Sequence, residues 1–509
     1  MERRTKRRTT ADEANKIRDV IGSVNASTLK RILGKLDFAN SMNFINKSTH
    51  ELFDMCKLDL PLPLDNGAEF LWETCDVALL LATVLRRCPA YNDAFSRAYA
   101  SNPPSQEKPW GLVLVYDEYI PGDKFAHWNL RKSMTIGLMF EEMGELRHHD
   151  VMWLIPAIIR TSVLKQVRGG WGTALKFFLR HLLLGPNGFM SCGAAVELGG
   201  ESKLIFANLK LMMSDNDGVR LAWNWRGTAS IRPCFLCQKV FKKESDLAHR
   251  VGGVEISETN PAKFLARTKA DLCDDVELVN EAKRRYDAGG MTGVMYNNIL
   301  KSVGMNPTED AICLDESLMA LFDPMKVQRL DWMHGMLQDG VLLVEARLLL
   351  RAAASHGVQS SEFEALLKAS WKWPNYRLHK ETAYRLHYIF KGSESEVDMS
   401  QLKCNASELL TLYHVIRFYV ALRLDDVEEM QPHLLSFGAA CEVVDTILSI
   451  KALSHHDEHT WRDLNRKLRQ ACQHHLEVHV DLYGDLHLKP KHHLTYHYDF
   501  SDDAFAFDI

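Results

Sequence analysis

Between residues 110 and 215 the chain runs through apolar segments in one order: strand, strand, strand, helix, strand. GLVLVYDEY carries apolar residues without alternation, the pattern of a strand buried on both faces of a sheet. KSMTIGLMFEEMG and MWLIPAIIR read as two further strands. VLKQVRGGWGTALKFFLRHLLLG then spaces Leu175, Phe178, Leu179, Leu182 and Leu183 as one helical stripe, stopped by Gly185-Pro186. KLIFANLKLMM is the fourth strand. A sheet with a helix packed on it is therefore expected here.

Two of these strands end on an acid. Asp117 is the first charged residue after the run Leu112 to Tyr116, and Asp215 follows KLIFANLKLMMS. A carboxylate at a strand end is rigidly presented, which suits a ligand for a hard divalent cation. Each has an ordinary reading beside it. Asp117 also fits a strand-end acid facing water, with Glu118 and Asp123 as rivals, and Asp215, like Ser214 and Asp217, is a good N-cap. Glu408 opens the helix-like segment NASELLTLYHVIRFYV at the border of its buried face, and with Asn405 it has the spacing of a capping box. Strand-acid, strand-acid, helix-acid is the order in which three carboxylates converge on a pair of Mg²⁺ or Mn²⁺ ions. The gap from Asp215 to Glu408, 408 − 215 = 193, requires an inserted domain, and the helical segments between about 241 and 400 supply one.

Length and charge set the frame. A chain of 509 residues exceeds one ordinary core, and its net charge of −5 leaves nucleic-acid binding to local patches. One patch is the N-terminus. Residues 1–50 hold 11 Lys/Arg against 5 Asp/Glu, with Arg3, Arg4, Lys6, Arg7 and Arg8 in the first eight positions. A solvated tail, a nuclear-import signal and an arm for the DNA backbone all fit it. Scattered cysteines, 11 in all, and no apolar leader segment give the expectation of a reducing, nuclear or cytoplasmic location, not a secreted one. No stretch approaches the ~20 uncharged apolar residues of a membrane span, so no membrane association is expected.

Cys234 and Cys237 in PCFLC form half of a zinc site. The other half needs distant histidines, for which His334 or the pair His379 and His387 are the candidates; buried free thiols are the alternative. The last 59 residues carry ten of the 22 histidines. His475 and His479 stand at i, i+4, but HHLEVH lacks the order of a zinc protease and reads as polar helix surface.

The succession of strand-acid, the block from Gly227 to Cys237, D-W-M-H at Asp331 to His334, and A-S-E at Ala406 to Glu408 resembles the transposases of CACTA-type elements, especially the Plavaka/KDZ-like branch. The recombination-activating recombinase is similar in plan. The resemblance, covering roughly residues 110–500, implies an α/β RNase-H-like core with a large all-α insertion. It makes Asp117, Asp215 and Glu408 the Mg²⁺- or Mn²⁺-binding triad, Cys234 and Cys237 a zinc half-site, and Asp331 and His334 a signature pair near the cleft. The phrase around the second aspartate departs from the family's pattern, reading MSDNDG.

The expected division is a helical N-terminal region with a basic tail (1–105), the first part of the core (110–240), a helical insertion (241–400), and a final core helix with a histidine-rich end (401–509). Two functions stay open: transposase-like cleavage and joining of DNA at transposon ends, with a homo-oligomer as the working form, or a non-catalytic nuclear scaffold of the same descent that binds DNA or protein.

Overall fold

The structure is a computed structural model, and it describes residues 53–120, 132–242, 251–359, 362, 402, 404–452 and 458–498. The basic tail and the pair His379 and His387 lie outside these residues.

A helical turn at residues 53–56 leads into two strands, β1 (Lys57–Pro63) and β2 (Glu69–Cys75), paired antiparallel. The stretch is thus not helical throughout, contrary to its sequence pattern. Every second residue of EFLWETC is buried near its end, and the turn before it places Gly67 at φ +81, a conformation that costs glycine little. The two prolines of β1 are tolerated because the ribbon has only two strands. Helix α1 (Val77–Arg87) begins only at Asp76, whose carboxylate accepts from the Leu79 amide. Helix α2 (Pro89–Ser101) follows.

The central sheet takes β3 (Trp110–Tyr119), β4 (Ser133–Phe140) and β5 (Leu154–Arg160), with β4 antiparallel to both β3 and β5. Helix α3 (Gly170–Leu184) buries the five residues of its apolar stripe. The run read as one fourth strand is two. A hairpin, β6 (Ala194–Leu198) with β7 (Glu201–Ile205), precedes β8 (Ala207–Ser214), which pairs parallel with β3. Helix α4 (Asn216–Trp223) leaves β8 at once. Beyond it lie α5 (Lys269–Asp287) and α6 (Gly293–Val303), and then β9 (Gln328–Leu330), parallel to β8. The five strands stand in the order β9-β8-β3-β4-β5.

Strand β9 interrupts what the sequence presents as a continuous helical insertion. Three residues are too few to show a period. A buried side chain fixes them instead. Gln328 accepts from Tyr116 of β3 (3.2 Å) and Trp223 of α4 (2.8 Å), and donates to the Met212 carbonyl of β8 (3.3 Å).

Helices α7 (Trp332–Met336) and α8 (Val341–Ser355) are separate, broken where Asp339 takes φ +47. The chain continues through α9 (Ala406–Leu424), α10 (Gln431–Ala452), α11 (Glu458–Tyr483) and α12 (Pro490–Leu494). Among the described residues of the histidine-rich end, 458–483 and 490–497 are helical and 484–489 are not. By length and composition the stretch Glu428–Lys451 would suit a membrane, yet α10 packs against α8, α9 and α11. Aromatic contacts tie the sheet to its helices. Phe95 of α2 meets Trp110 and Phe140 with centroids 5.9 and 5.4 Å apart, and Trp171 of α3 meets Tyr116 at 5.8 Å.

Candidate functional site

Register brings three acids together. In the β3–β8 ladder Val115 faces Met213, so two residues further along each strand Asp117 comes beside Asp215. In the β9–β8 ladder Leu330 faces Ser214, so one residue further Asp331 flanks Asp215 on its other side. Neighbouring strands lie about 4.8 Å apart. Asp117, two residues before the end of β3, therefore falls in a row with Asp215 and Asp331, the residues that follow β8 and β9, with Asp215 central.

Electrostatics agree with this register. Burial raises the Asp117 carboxyl, and the charges of Asp215 and Asp331 add to the rise while His334 opposes it. The His334 imidazole is raised by its hydrogen bond to Asp331 and by the charges of Asp331, Asp215 and Asp117. Asp117 and His334 thus sense the charges around them, although the ligand atoms of the three aspartates do not all fall within 4.8 Å of one another as they do at the cysteine–histidine group below. Uncompensated, three carboxylates at this spacing repel; a divalent cation or the His334 imidazolium offsets them.

Two of the aspartates are also helix caps. Asp215 accepts from the Gly218 amide at 2.6 Å and Asp331 from the Met333 amide at 2.8 Å. Gly218 permits this close start, since a Cβ there would lie 2.6 Å from the Ser214 Cβ. Capping engages one oxygen of each carboxylate and fixes its direction; the second Asp331 oxygen meets His334 Nδ1. Cap and ligand, competing readings in the sequence, coexist here.

Glu408 is placed differently. It caps α9 with Asn405, its carboxylate accepting from the Asn405 amide at 2.9 Å and its own amide donating to the Asn405 side chain at 2.9 Å. The charges that act on Asp117 are those of Asp215, His334 and Asp331. The third carboxylate beside Asp215 is Asp331, a residue the sequence marks only as a signature.

A second centre lies close by. Cys234 and Cys237 meet His493 and His497, whose ligand atoms all fall within 4.8 Å of one another. Sγ of Cys237 is 3.4 Å from His493 Nε2 and 3.3 Å from His497 Nε2; Cys234 Sγ is 3.3 Å from His497 Nε2; the two imidazole nitrogens are 3.3 Å apart. Tetrahedral metal–ligand bonds of about 2.3 Å to sulfur and 2.05 Å to nitrogen set N–N edges of about 3.3 Å and S–N edges of about 3.6 Å. The observed edges match to within a few tenths of an ångström. His334, a candidate zinc ligand in the sequence, belongs instead to the aspartate cluster.

Burial opposes a Cys234 thiolate, but the Cys237 thiol and the imidazoles of His497 and His493 outweigh it and hold Cys234 well below the ordinary thiol value. Burial also lowers His493, keeping it neutral. The Cys237 thiol is raised by its hydrogen bond to Cys234 and by burial; a bound metal would require both cysteines as thiolates and both imidazoles neutral. Two cysteines and two histidines make up a full tetrahedral set, the donor count of a structural zinc site. H-x-x-x-H at 493 and 497 is visible in the sequence, but 256 residues separate His493 from Cys237.

The two centres share a segment. Lys491 of α12 donates to the carbonyls of His334 (2.8 Å) and Gln338 (2.7 Å), and Tyr498 packs so close to α7 that a Cβ on Gly335 would stand 1.4 Å from its hydroxyl oxygen. Whatever holds His493 and His497 thereby holds the Asp331–His334 turn against the sheet.

No family model matches this chain, and no curated protein matches it.

Proposed function

We propose that this chain is an RNase-H-like, metal-dependent phosphodiester-cutting protein of transposase descent, with its cation site built from Asp117, Asp215 and Asp331. The observation that carries the reading is the row of three aspartates that the register of three adjacent parallel strands sets side by side, Asp117 near the end of β3 and Asp215 and Asp331 just past β8 and β9. The sheet supports it. Three antiparallel strands followed by two parallel ones, in the order β9-β8-β3-β4-β5, is the arrangement an RNase-H-like core requires.

Bound Mg²⁺ or Mn²⁺ would activate a nucleophile and stabilise the leaving oxygen of a phosphodiester. The chain supplies the rest. The two caps hold Asp215 and Asp331 in fixed directions, and His334 orients Asp331 and balances charge when cations are absent. Cys234, Cys237, His493 and His497 would hold a structural zinc ion that clamps the Asp331–His334 turn in place. Glu408, whose carboxylate caps α9 through the Asn405 amide, is not counted among the ligands in this reading. Arg3, Arg4, Lys6, Arg7 and Arg8 are the proposed contact to the DNA backbone.

The test is nicking of supercoiled DNA in Mn²⁺. Wild type should nick, and Asp117→Asn, Asp215→Asn and Asp331→Asn should not. The scaffold reading predicts equal, background cleavage in all four proteins, with DNA binding retained.

A further inference from the structure

Away from both centres, the fold brings two further cysteines side by side. Cys273 lies in the second turn of α5, and Cys313, 40 residues further on, in the 3-10 turn Ile312–Leu314. Cys273 Sγ is 3.1 Å from the Cys313 carbonyl oxygen, and the two thiols are hydrogen-bonded to each other. Packing on both sides sets this approach. The segment holding Cys313 runs antiparallel along α5 and is tied to it above and below the pair. Asn280 donates to the Thr308 carbonyl at 2.8 Å and accepts from the Thr308 amide at 2.7 Å, and Lys269 Nζ donates to the Met319 carbonyl at 2.7 Å. The same segment is fixed to the core through Asp310, which pairs with Lys176 of α3 at 3.1 Å, and Asp315, which pairs with Arg180 at 2.8 Å.

The two sulfurs differ in access and in acidity. Cys313 is 5 % exposed, whereas Cys273 is only half-buried on the flank of its helix. While protonated, Cys273 donates to the Cys313 carbonyl; once ionised, it accepts from the Cys313 thiol instead. That second bond holds Cys273 below the ordinary thiol value, against burial and the charges of Asp274 and Glu277. Cys313 is pushed up, first by the same bond and then by burial. Elsewhere burial prevails, raising Cys75 to about 11 and Cys404 and Cys472 to about 12. An accessible cysteine that ionises readily, beside a second thiol shielded from solvent, is the arrangement of a peroxide-reactive cysteine with its resolving partner.

We propose that Cys273 and Cys313 are a modification site at which a hydroperoxide closes a disulfide, independently of the aspartate cluster and of the cysteine–histidine centre. The Cys273 thiolate attacks the terminal peroxide oxygen: an S–O bond forms, the O–O bond breaks, and sulfur is oxidised by two electrons. The departing alkoxide or hydroxide takes up a proton and leaves as an alcohol or water, and Cys273 becomes a sulfenic acid. The Cys313 sulfur then attacks the Cys273 sulfur, its proton passing to the departing hydroxyl: an S–S bond forms, the S–O bond breaks, and water leaves. A thiol reductant reverses the step by exchange. The disulfide fastens α5 covalently to the turn at Ile312–Leu314, which packs on α3 and α4 of the core.

Hydrogen peroxide treatment of the reduced full chain, alkylation of the remaining thiols with N-ethylmaleimide and peptide mapping by mass spectrometry test the site. Wild type should yield a Cys273–Cys313 linked peptide, lighter than the sum of its two parts by two hydrogens and lost when dithiothreitol precedes alkylation. Cys313→Ser should stop at the sulfenic acid on Cys273, trapped by dimedone. Cys273→Ser should leave Cys313 a thiol, since burial shields it from the oxidant. A linkage between Cys234 and Cys237 would appear on a different peptide and does not interfere. The wild-type map decides the matter even where a variant does not fold. Both thiols intact at a peroxide dose that oxidises them in the urea-unfolded chain would overturn the proposal, as would a sulfinic acid on Cys273 beside an unmodified Cys313.

Discussion

Removing the zinc ion proposed for the cysteine–histidine centre, by chelation or by Cys234→Ser, should cost far more than the loss of one surface contact. The centre joins residues 234–237 to residues 493–497, and the shortest sulfur–nitrogen link spans 256 residues. Treated as a cross-link in the unfolded chain, a loop of that size corresponds to about 18–19 cal/mol/K of closure entropy, or about 5.5 kcal/mol at 25 °C. Unfolding entropy of about 2.1 cal/mol/K per residue over 509 residues is about 1,070 cal/mol/K, so the melting temperature should fall by about 5 °C. The assay is thermal melting with and without a zinc chelator, alongside elemental analysis. Cys234→Ser should melt low and no longer respond to chelator. A Cys234→Ser protein with unchanged zinc content and unchanged melting would refute the assignment and leave Cys234 and Cys237 as buried thiols.

Other outcomes follow from the same geometry. Burial and neighbouring carboxylates raise the Asp117 carboxyl above its unfolded value, so its ionisation destabilises the fold as pH rises through that raised value. Asp117→Asn should therefore stabilise the cation-free protein at neutral pH and lose that advantage in acid; a constant difference across pH would contradict this. His334 is raised by Asp331, so its contribution is present below its unfolded value and lost as pH climbs through the folded one; His334→Gln should flatten that part of the melting profile. Gly335→Ala forces a Cβ onto the Tyr498 hydroxyl and should cost about 1–3 kcal/mol in denaturant melts, with Tyr498→Phe leaving the loss almost intact because the ring carbon is next, at 2.7 Å. Deleting residues 1–10 removes five cationic side chains and one anionic one; the log–log salt slope of duplex DNA binding should become shallower by about 4 to 5, and an unchanged slope would show the tail to be passive.

Much of the sheet could be read from the chain because its longest strands are continuous apolar runs, and Asp117 and Asp215 stand out as the points where those runs stop. What the sequence concealed is short or distant. Strand β9 has three residues and is held by the buried Gln328 amide rather than by a pattern of its own, so Asp331 could not be recognised as a strand-end acid. β1 and β2 were masked by prolines and by their continuity with the apolar helix α1. Glu408 satisfied the expected order of acids, yet its capping-box spacing was the stronger local signal and is what the structure realises. Histidines 475, 479 and 493 look polar in sequence, and only packing shows that their partners are a carboxylate on another helix and two remote thiols.

Direct Mn²⁺ binding, followed by electron paramagnetic resonance in metal-free buffer, tests the aspartate cluster without depending on turnover. The row Asp117, Asp215, Asp331 predicts that Asp215→Asn, at its centre, and Asp331→Asn each weaken binding sharply, since an amide lacks the charge that holds a hard cation. Glu408→Gln, which preserves the capping box, should bind Mn²⁺ as wild type does. Loss of binding in Glu408→Gln, with Asp331→Asn unaffected, would contradict the assignment of the third carboxylate to Asp331.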